Sequence, residues 1–164
     1  MVEDTRAPVL TGGCQCGAVR YALYAEPKTA DICHCRMCQR AMGNLFMAAA
    51  GGVALEDFAW TWGEPALFRS SSVAERSFCA RCGTPLSFRY LERPTIAITI
   101  GSLDEPVRAR PTRQYGVESR VPWFHELADL PGTRTEDDVG EAAPPGGIEQ
   151  VESYQLAERG RSSG

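Results

Sequence analysis

Short runs of two-residue alternation, separated by turn-forming residues, set the pattern of this chain. In GAVRYALYA (17–25), Val19, Tyr21 and Leu23 fall on one face and Arg20 on the other, the period of a half-buried strand. LFMAAA (45–50) reads as a short buried strand. ALFRSSSVAERSF (66–78) and PLSFRYL (85–91) flank a cysteine turn and read as two strands of a hairpin. TIAITI (95–100) alternates β-branched with small residues and predicts a further strand, which GSLDEP (101–106) ends with turn chemistry. Helical signals are sparse: Val53–Phe58 and a turn near Phe124–Asp129 are the two candidates. The predicted class is therefore mostly β, with small antiparallel sheets and few short helices.

Three segments follow from this pattern. Residues 1–9 read as a flexible leader, 10–130 as the domain, and 131–164 as a flexible tail. The tail combines Pro and Gly clusters, an acidic run and few large apolar residues, a mixture that buries too little surface to offset its ordering entropy. A competing reading makes GIEQVESYQLAERG (147–160) a short helix formed on a partner.

Composition narrows the function classes. The chain has 164 residues and 43% apolar content, enough for a core, and a formal charge of −4, which gives no electrostatic case for nucleic acid. Its basic charge comes from 16 arginines and one lysine, Lys28. Arginine grips carboxylates in fork geometry better than lysine does. The stretch MVEDTRAPVLTGGC is acidic and lacks an apolar run, unlike a secretory signal. No segment approaches the roughly 20 apolar residues that span a bilayer. A soluble, cytoplasmic protein without membrane or nucleic-acid partners is expected.

The cysteines change the picture most. All seven fall into three groups: Cys14 and Cys16, then Cys33, Cys35 and Cys38, then Cys79 and Cys82. An odd number leaves one thiol over in any disulfide framework, and clustered thiols in a reducing compartment more often hold metal. CARCG (79–83) has the spacing of a zinc knuckle, with Gly83 allowing the tight backbone after it. CQCG (14–17) is the natural second pair, since residues two apart in an extended stretch face one side. Four thiolates from these pairs make a closed structural zinc site. A redox role for Cys79 and Cys82 is the alternative, but no thioredoxin-like βαβ pattern surrounds them.

CHCRMC (33–38) then offers Cys33, Cys35 and Cys38 with no cysteine left for a fourth position. Structural zinc is closed by four protein ligands, whereas catalytic zinc keeps one position open. His34 competes for that position, although alternation turns it away from its neighbours and suggests a supporting or surface role. His125, beside Glu126, reads as a surface residue. An ion held by three thiolates is a weak activator of water and suits an incoming thiol, held as the nucleophilic thiolate. The expected chemistry is addition of a thiol to an electrophile such as an aldehyde, or the reverse carbon–sulfur cleavage.

GGCQCGAVRY, CHCRMCQRAMG, FRSSSVAERSFCARCGTPL, TIGSLDEP and VPW together resemble the glutathione-dependent formaldehyde-activating enzymes, in that family's order from about Leu10 to Leu130. The resemblance implies the β-tent fold and two zinc ions per chain. It maps the structural ligands onto Cys14, Cys16, Cys79 and Cys82 and the catalytic ligands onto Cys33, Cys35 and Cys38. It implies a small-molecule thiol such as glutathione as partner and formation of S-hydroxymethylglutathione, a carbon–sulfur lyase reaction in reverse. Arg40 and Arg36 flank Cys38 and are candidates for binding the thiol's carboxylates; solvated loop charges are the plainer reading. Ser70, Ser71 and Arg76 match the family's segment before CARC, where strand pairing explains them equally well. Gln114 stands where many relatives carry histidine, and glutamine cannot shuttle a proton near neutral pH. Tyr115 and Trp123 are assigned to core packing, with pocket lining as the alternative.

Two non-enzymatic readings compete with this one. A zinc-stapled module could present its sheets to a protein partner, or a labile zinc could serve buffering or thiol sensing. The apolar strand faces fit a core and an interface alike, so the pattern assigns no oligomeric state.

Overall fold

Tyr21 explains why the chain closes as it does. Its ring lies against Phe58 and Trp60, with centroids 5.9 Å away in each case, and its hydroxyl pairs with Ser102 Oγ at 2.8 Å. One residue thus ties three distant segments together. The computed structural model describes residues 6–137 and 143–155.

Ten strands and one short α-helix are present among the described residues: β1 (Leu10–Gly13), β2 (Arg20–Leu23), β3 (Thr29–Cys33), α1 (Arg36–Met42), β4 (Met47–Ala54), β5 (Phe58–Trp62), β6 (Ala66–Arg69), β7 (Ala74–Phe78), β8 (Pro85–Tyr90), β9 (Thr95–Thr99) and β10 (Arg113–Tyr115). They form a three-stranded sheet, β1-β2-β5, and a seven-stranded one, β10-β3-β4-β9-β8-β7-β6. The mostly β reading and the β-tent arrangement hold. Pairing is antiparallel except between β10 and β3, which run parallel.

Alternation divides the large sheet into two faces. Ala50, Val53, Ile96 and Ile98 turn into the main core with Leu10, Tyr21, Leu23 and Leu103. Met47, Ala49, Phe88 and Ala97 form a second apolar cluster, which also takes in Cys33, Cys35 and Cys38. Leu86 joins the main core because the β7–β8 register slips between Ser77 and Phe78, turning it out of its neighbours' alternation.

Several sequence expectations need correction. Val53–Phe58 is not a helix: Val53 and Ala54 finish β4, Leu55–Asp57 make one 3-10 turn, and Phe58 begins β5. The β-branched and aromatic ends of that stretch are buried by sheet packing, and six residues nucleate a helix poorly. Of LFMAAA, Met47–Ala50 begin a longer strand, and Leu45 and Phe46 precede it. Gly52, at φ 72°, carries β4 through a register shift against β9 instead of ending it. ALFRSSSVAERSF is itself a hairpin, β6 and β7, because Ser70 and Ser71 fold back onto Ala74 O. TIAITI is a strand up to Thr99, and Phe124–Asp129 is a 3-10 turn, as expected.

Outside 10–130, Arg6 pairs with Asp57 at 2.6 Å and Val9 N bonds Leu23 O at 2.7 Å. Of the proposed helix at 147–160, Ile148–Gln150 form one 3-10 turn; residues 156–160 lie outside the described residues. No described helix is long and apolar enough to cross a membrane.

Asp104 clasps the two sheets, accepting from Arg20 through both carboxylate oxygens and from Thr11 Oγ1 at 2.6 Å. Partial burial raises its pKa, but the bonds from Arg20 and Thr11 outweigh this and hold it below the ordinary 3.8. The ionised carboxylate therefore stabilises the fold at pH above that ordinary value, and the contribution fades as pH falls through the depressed folded value. Asp104→Asn should cost about 0.5–1 kcal/mol at neutral pH, the clasp being partly solvated. Denaturant unfolding at pH 7 and near pH 3 checks this, with the gap between variant and parent narrowing in acid.

Candidate functional site

The four cysteines at 14, 16, 79 and 82 converge from two hairpins. Cys14 and Cys16 follow β1, in the turn where Gly17 N bonds Cys14 O, and Cys79 and Cys82 occupy the β7–β8 turn, closed by Gly83 N to Cys79 O. Their sulfurs all lie within 4.8 Å of one another. Cys14–Cys16 measures 3.7 Å and Cys16–Cys79 3.9 Å. Tetrahedral bonds of the Zn–S length place sulfurs about 3.8 Å apart, so the spacing fits one ion.

The thiols of this group sit in unequal environments. Burial pushes the Cys14 thiol up to about 12, despite a 3.2 Å bond from Val19 N. Burial acts upward on Cys82 too, but bonds from Thr84 overcome it and bring the thiol down to about 6. A divalent cation is the natural means of holding such mismatched thiols ionised together.

Cys33, Cys35 and Cys38 form the second group, with sulfurs again within 4.8 Å of one another. Cys33 ends β3, Cys35 caps α1 by accepting from Cys38 N at 3.4 Å, and Cys38 lies one turn into the helix. Burial pushes Cys33 up to about 12 and also raises Cys38, in the latter case against the lowering effect of Arg76. For Cys35 burial is outweighed by backbone and thiol hydrogen bonds, and its pKa is lowered. No fourth His, Cys, Asp or Glu joins this group among the described residues.

His34 does not close the site. Its side chain is fully buried on the other side of the segment, with its ring 4.7 Å from that of Phe124 and Nε2 2.9 Å from Gln114 Oε1. Arg120 Nη1 donates to the same Gln114 oxygen at 3.2 Å, which places the proton on His34 Nε2. The surface alternative for His34 is thus overturned, while His125 is exposed as expected. Gln114 meets His34 and Arg120 rather than the sulfurs.

The C-terminal part of the domain braces this loop. Tyr115 O accepts from His34 N at 2.8 Å, and Gln39 Nε2 donates to Ser119 O at 3.0 Å. Gly116 passes so close that a Cβ there would sit 2.9 Å from Cys35 N, and its φ is +66°.

Between α1 and the β6–β8 hairpins lies an open cavity of about 450 Å³, lined by apolar Met37, Met42, Phe68, Phe78 and Pro85, with Arg40, Arg76 and Ser70. Arg40 makes no ion pair among the described residues, and it also borders a shallower hollow with Arg36. Arg36 instead donates to Gln39 within α1. Tyr115 and Trp123 are 64% and 46% exposed and line neither hollow, so the core assignment fails for both. The three residues of β10 sit at a sheet edge and leave Tyr115 uncovered.

Arg76 is the residue whose place sequence reasoning missed. It is 6% exposed, yet no carboxylate meets it among the described residues: Nη2 donates to Cys38 Sγ and Nη1 to Met47 Sδ, each at 3.3 Å. Its alternation with buried Ala74 in β7 was the available signal.

A mostly β protein with one four-thiol and one three-thiol cluster, each able to hold a metal ion, is the class that fold and site define. The family model for glutathione-dependent formaldehyde-activating enzyme matches residues 9–119, and the chain belongs to that family. It is 36% identical over 92 residues to a Schizosaccharomyces pombe protein named as an uncharacterised lyase. That match covers 51% of this chain and 59% of the relative. A crystallised Rhodobacter sphaeroides protein shares the fold at a TM-score of 0.51 and 24% identity, over 63% of this chain and 98% of that one.

Gly116→Ala would put a Cβ against Cys35 in a left-handed backbone. We expect a loss of about 1–3 kcal/mol in unfolding free energy. Metal uptake should weaken at the three-cysteine group and stay unchanged at the four-cysteine group, read by metal titration.

Proposed function

We propose that the 10–130 domain is a zinc-dependent carbon–sulfur lyase or synthase acting on an adduct of a small thiol and an aldehyde, with glutathione and formaldehyde as the leading pair. The observation that carries this reading is the three-thiol group that no fourth His, Cys, Asp or Glu completes among the described residues. Cys14, Cys16, Cys79 and Cys82 would hold a structural zinc, and Cys33, Cys35 and Cys38 a catalytic one. When bound there, zinc supplies an open position at which an incoming thiol is held as thiolate, the nucleophilic form.

The chain's own residues supply the rest. Arg40, which lines the cavity and has no ion pair among the described residues, binds a carboxylate of the thiol in fork geometry, with Arg36 beside it as a secondary anchor. Met37, Met42 and Phe78 give the cavity an apolar wall, and Arg76, which also lines it, reaches from there to Cys38. In the forward direction the sulfur forms a bond to the carbonyl carbon, and the thiol's proton ends on the carbonyl oxygen. The reverse step breaks the carbon–sulfur bond and returns the aldehyde. Thiol chemistry of this kind belongs in a reducing compartment, consistent with a cytoplasmic protein.

Calorimetric titration of zinc-loaded protein with glutathione and with S-methylglutathione, in buffers of different ionisation enthalpy, tests the reading. Glutathione alone should bind, with release of a proton. Binding of neither rejects glutathione and leaves another small thiol or the protein-binding module. Equal binding of both removes the sulfur from the contact. In the same assay Arg40→Ala should weaken glutathione binding about tenfold, the scale of one lost charge-assisted contact.

A further inference from the structure

Arg76 is a buried cation without an anion. Its guanidinium packs over the Phe88 ring at 4.9 Å, its two terminal nitrogens point at sulfurs, and its Nε has no hydrogen-bond partner. Burying an uncompensated charge in such a setting is costly, so something must offset it. Among the described residues, the one group it touches that can be anionic is the centre that Cys38 helps to make: a divalent ion with three thiolates carries one net negative charge. The four-cysteine group differs here. Its sulfurs receive bonds from Val19 N and the Thr84 hydroxyl, both neutral, and its nearby Arg81 is exposed.

We propose that Arg76 is the built-in counter-charge of the three-cysteine metal centre, a positioning residue that acts through the Cys38 sulfur. It neutralises the metal–thiolate group and draws electron density from Cys38 through the Nη2–H···S bond. The centre then accepts a further anionic thiolate with less repulsion than three thiolates alone would impose. Arg76 also borders the cavity, so this charge lies where the sulfur of an incoming thiol would arrive. The inference rests on the metal reading above and adds to it the residue that makes an open three-thiolate site tolerable.

The geometry of the large sheet explains how a β7 residue reaches Cys38. β3 and β7 are separated by β4, β9 and β8, but α1 lies over β4 and brings Cys38 back across the second apolar cluster. Arg76 and Phe88 are register partners on adjacent strands, which fixes the guanidinium over that face.

The test compares wild type, Arg76→Met and Arg76→Lys, each titrated with cobalt and with zinc against a competing chelator. Wild type should take up two ions. Arg76→Met should bind the second at least about tenfold more weakly, about 1.4 kcal/mol, with the first unchanged. Its sulfur-to-cobalt charge-transfer band for that ion should move to lower energy, because Cys38 loses a hydrogen bond. Arg76→Lys should recover part of the affinity. Stability separates this from simple packing: with one ion bound, Arg76→Met should be at least as stable to denaturant as wild type, and with two ions less stable. A packing role would destabilise it in both states. Unchanged second-ion affinity and band position in Arg76→Met overturn the proposal alone. A wild-type chain that takes up a single ion overturns the metal reading and the proposal with it.

Discussion

The structure depends on thiols being held closer together than free thiols have reason to be. Cys14, Cys16, Cys79 and Cys82 come from turns more than sixty residues apart in sequence, yet their sulfurs stand at the spacing of tetrahedral ligands. Sheets of three- to eight-residue strands close only a modest core around Tyr21, Leu86 and Ile98. A metal ion held by these four thiols would cross-link the β1 turn to the β7–β8 turn and restrain the small sheet against the large one. The Asp104 clasp and the Tyr21–Ser102 bond act at the same junction from the other side.

The second thiol group uses the same sheet differently. It sits on the opposite face, in a smaller apolar cluster, and its sulfurs come from one segment that turns from β3 into α1. Local geometry alone brings three thiols together, because Cys35 both ends the extended stretch and caps the helix. The segment after β9 then holds this loop from outside through Tyr115, Gly116 and Ser119. A short helix, an edge strand and one glycine hold the group, and Arg76 joins it to the cavity that Arg40 also lines.

Much of this was legible in the residues. Cysteine spacing divided the seven thiols as the structure groups them, and two-residue alternation located β2 and β9 because each has a clean apolar face. What escaped had physical reasons. The predicted strand stops at Ala50, whereas the left-handed freedom of Gly52 lets β4 continue through a bulge to Ala54. The three residues of β10 lack apolar alternation, since its pairing with β3 is made by the backbone at an exposed edge. The buried position of Arg76 depends on a sulfur brought in from another element, and no spacing along the chain announces such a partner.

The most direct measurement is stepwise chelation of the zinc-loaded protein, with released zinc counted against far-ultraviolet circular dichroism. The account predicts two stages: one ion leaves at low chelator with the fold intact, and the second leaves only as the fold is lost. Simultaneous loss of both ions with unfolding would contradict the division into an open site and a closed one.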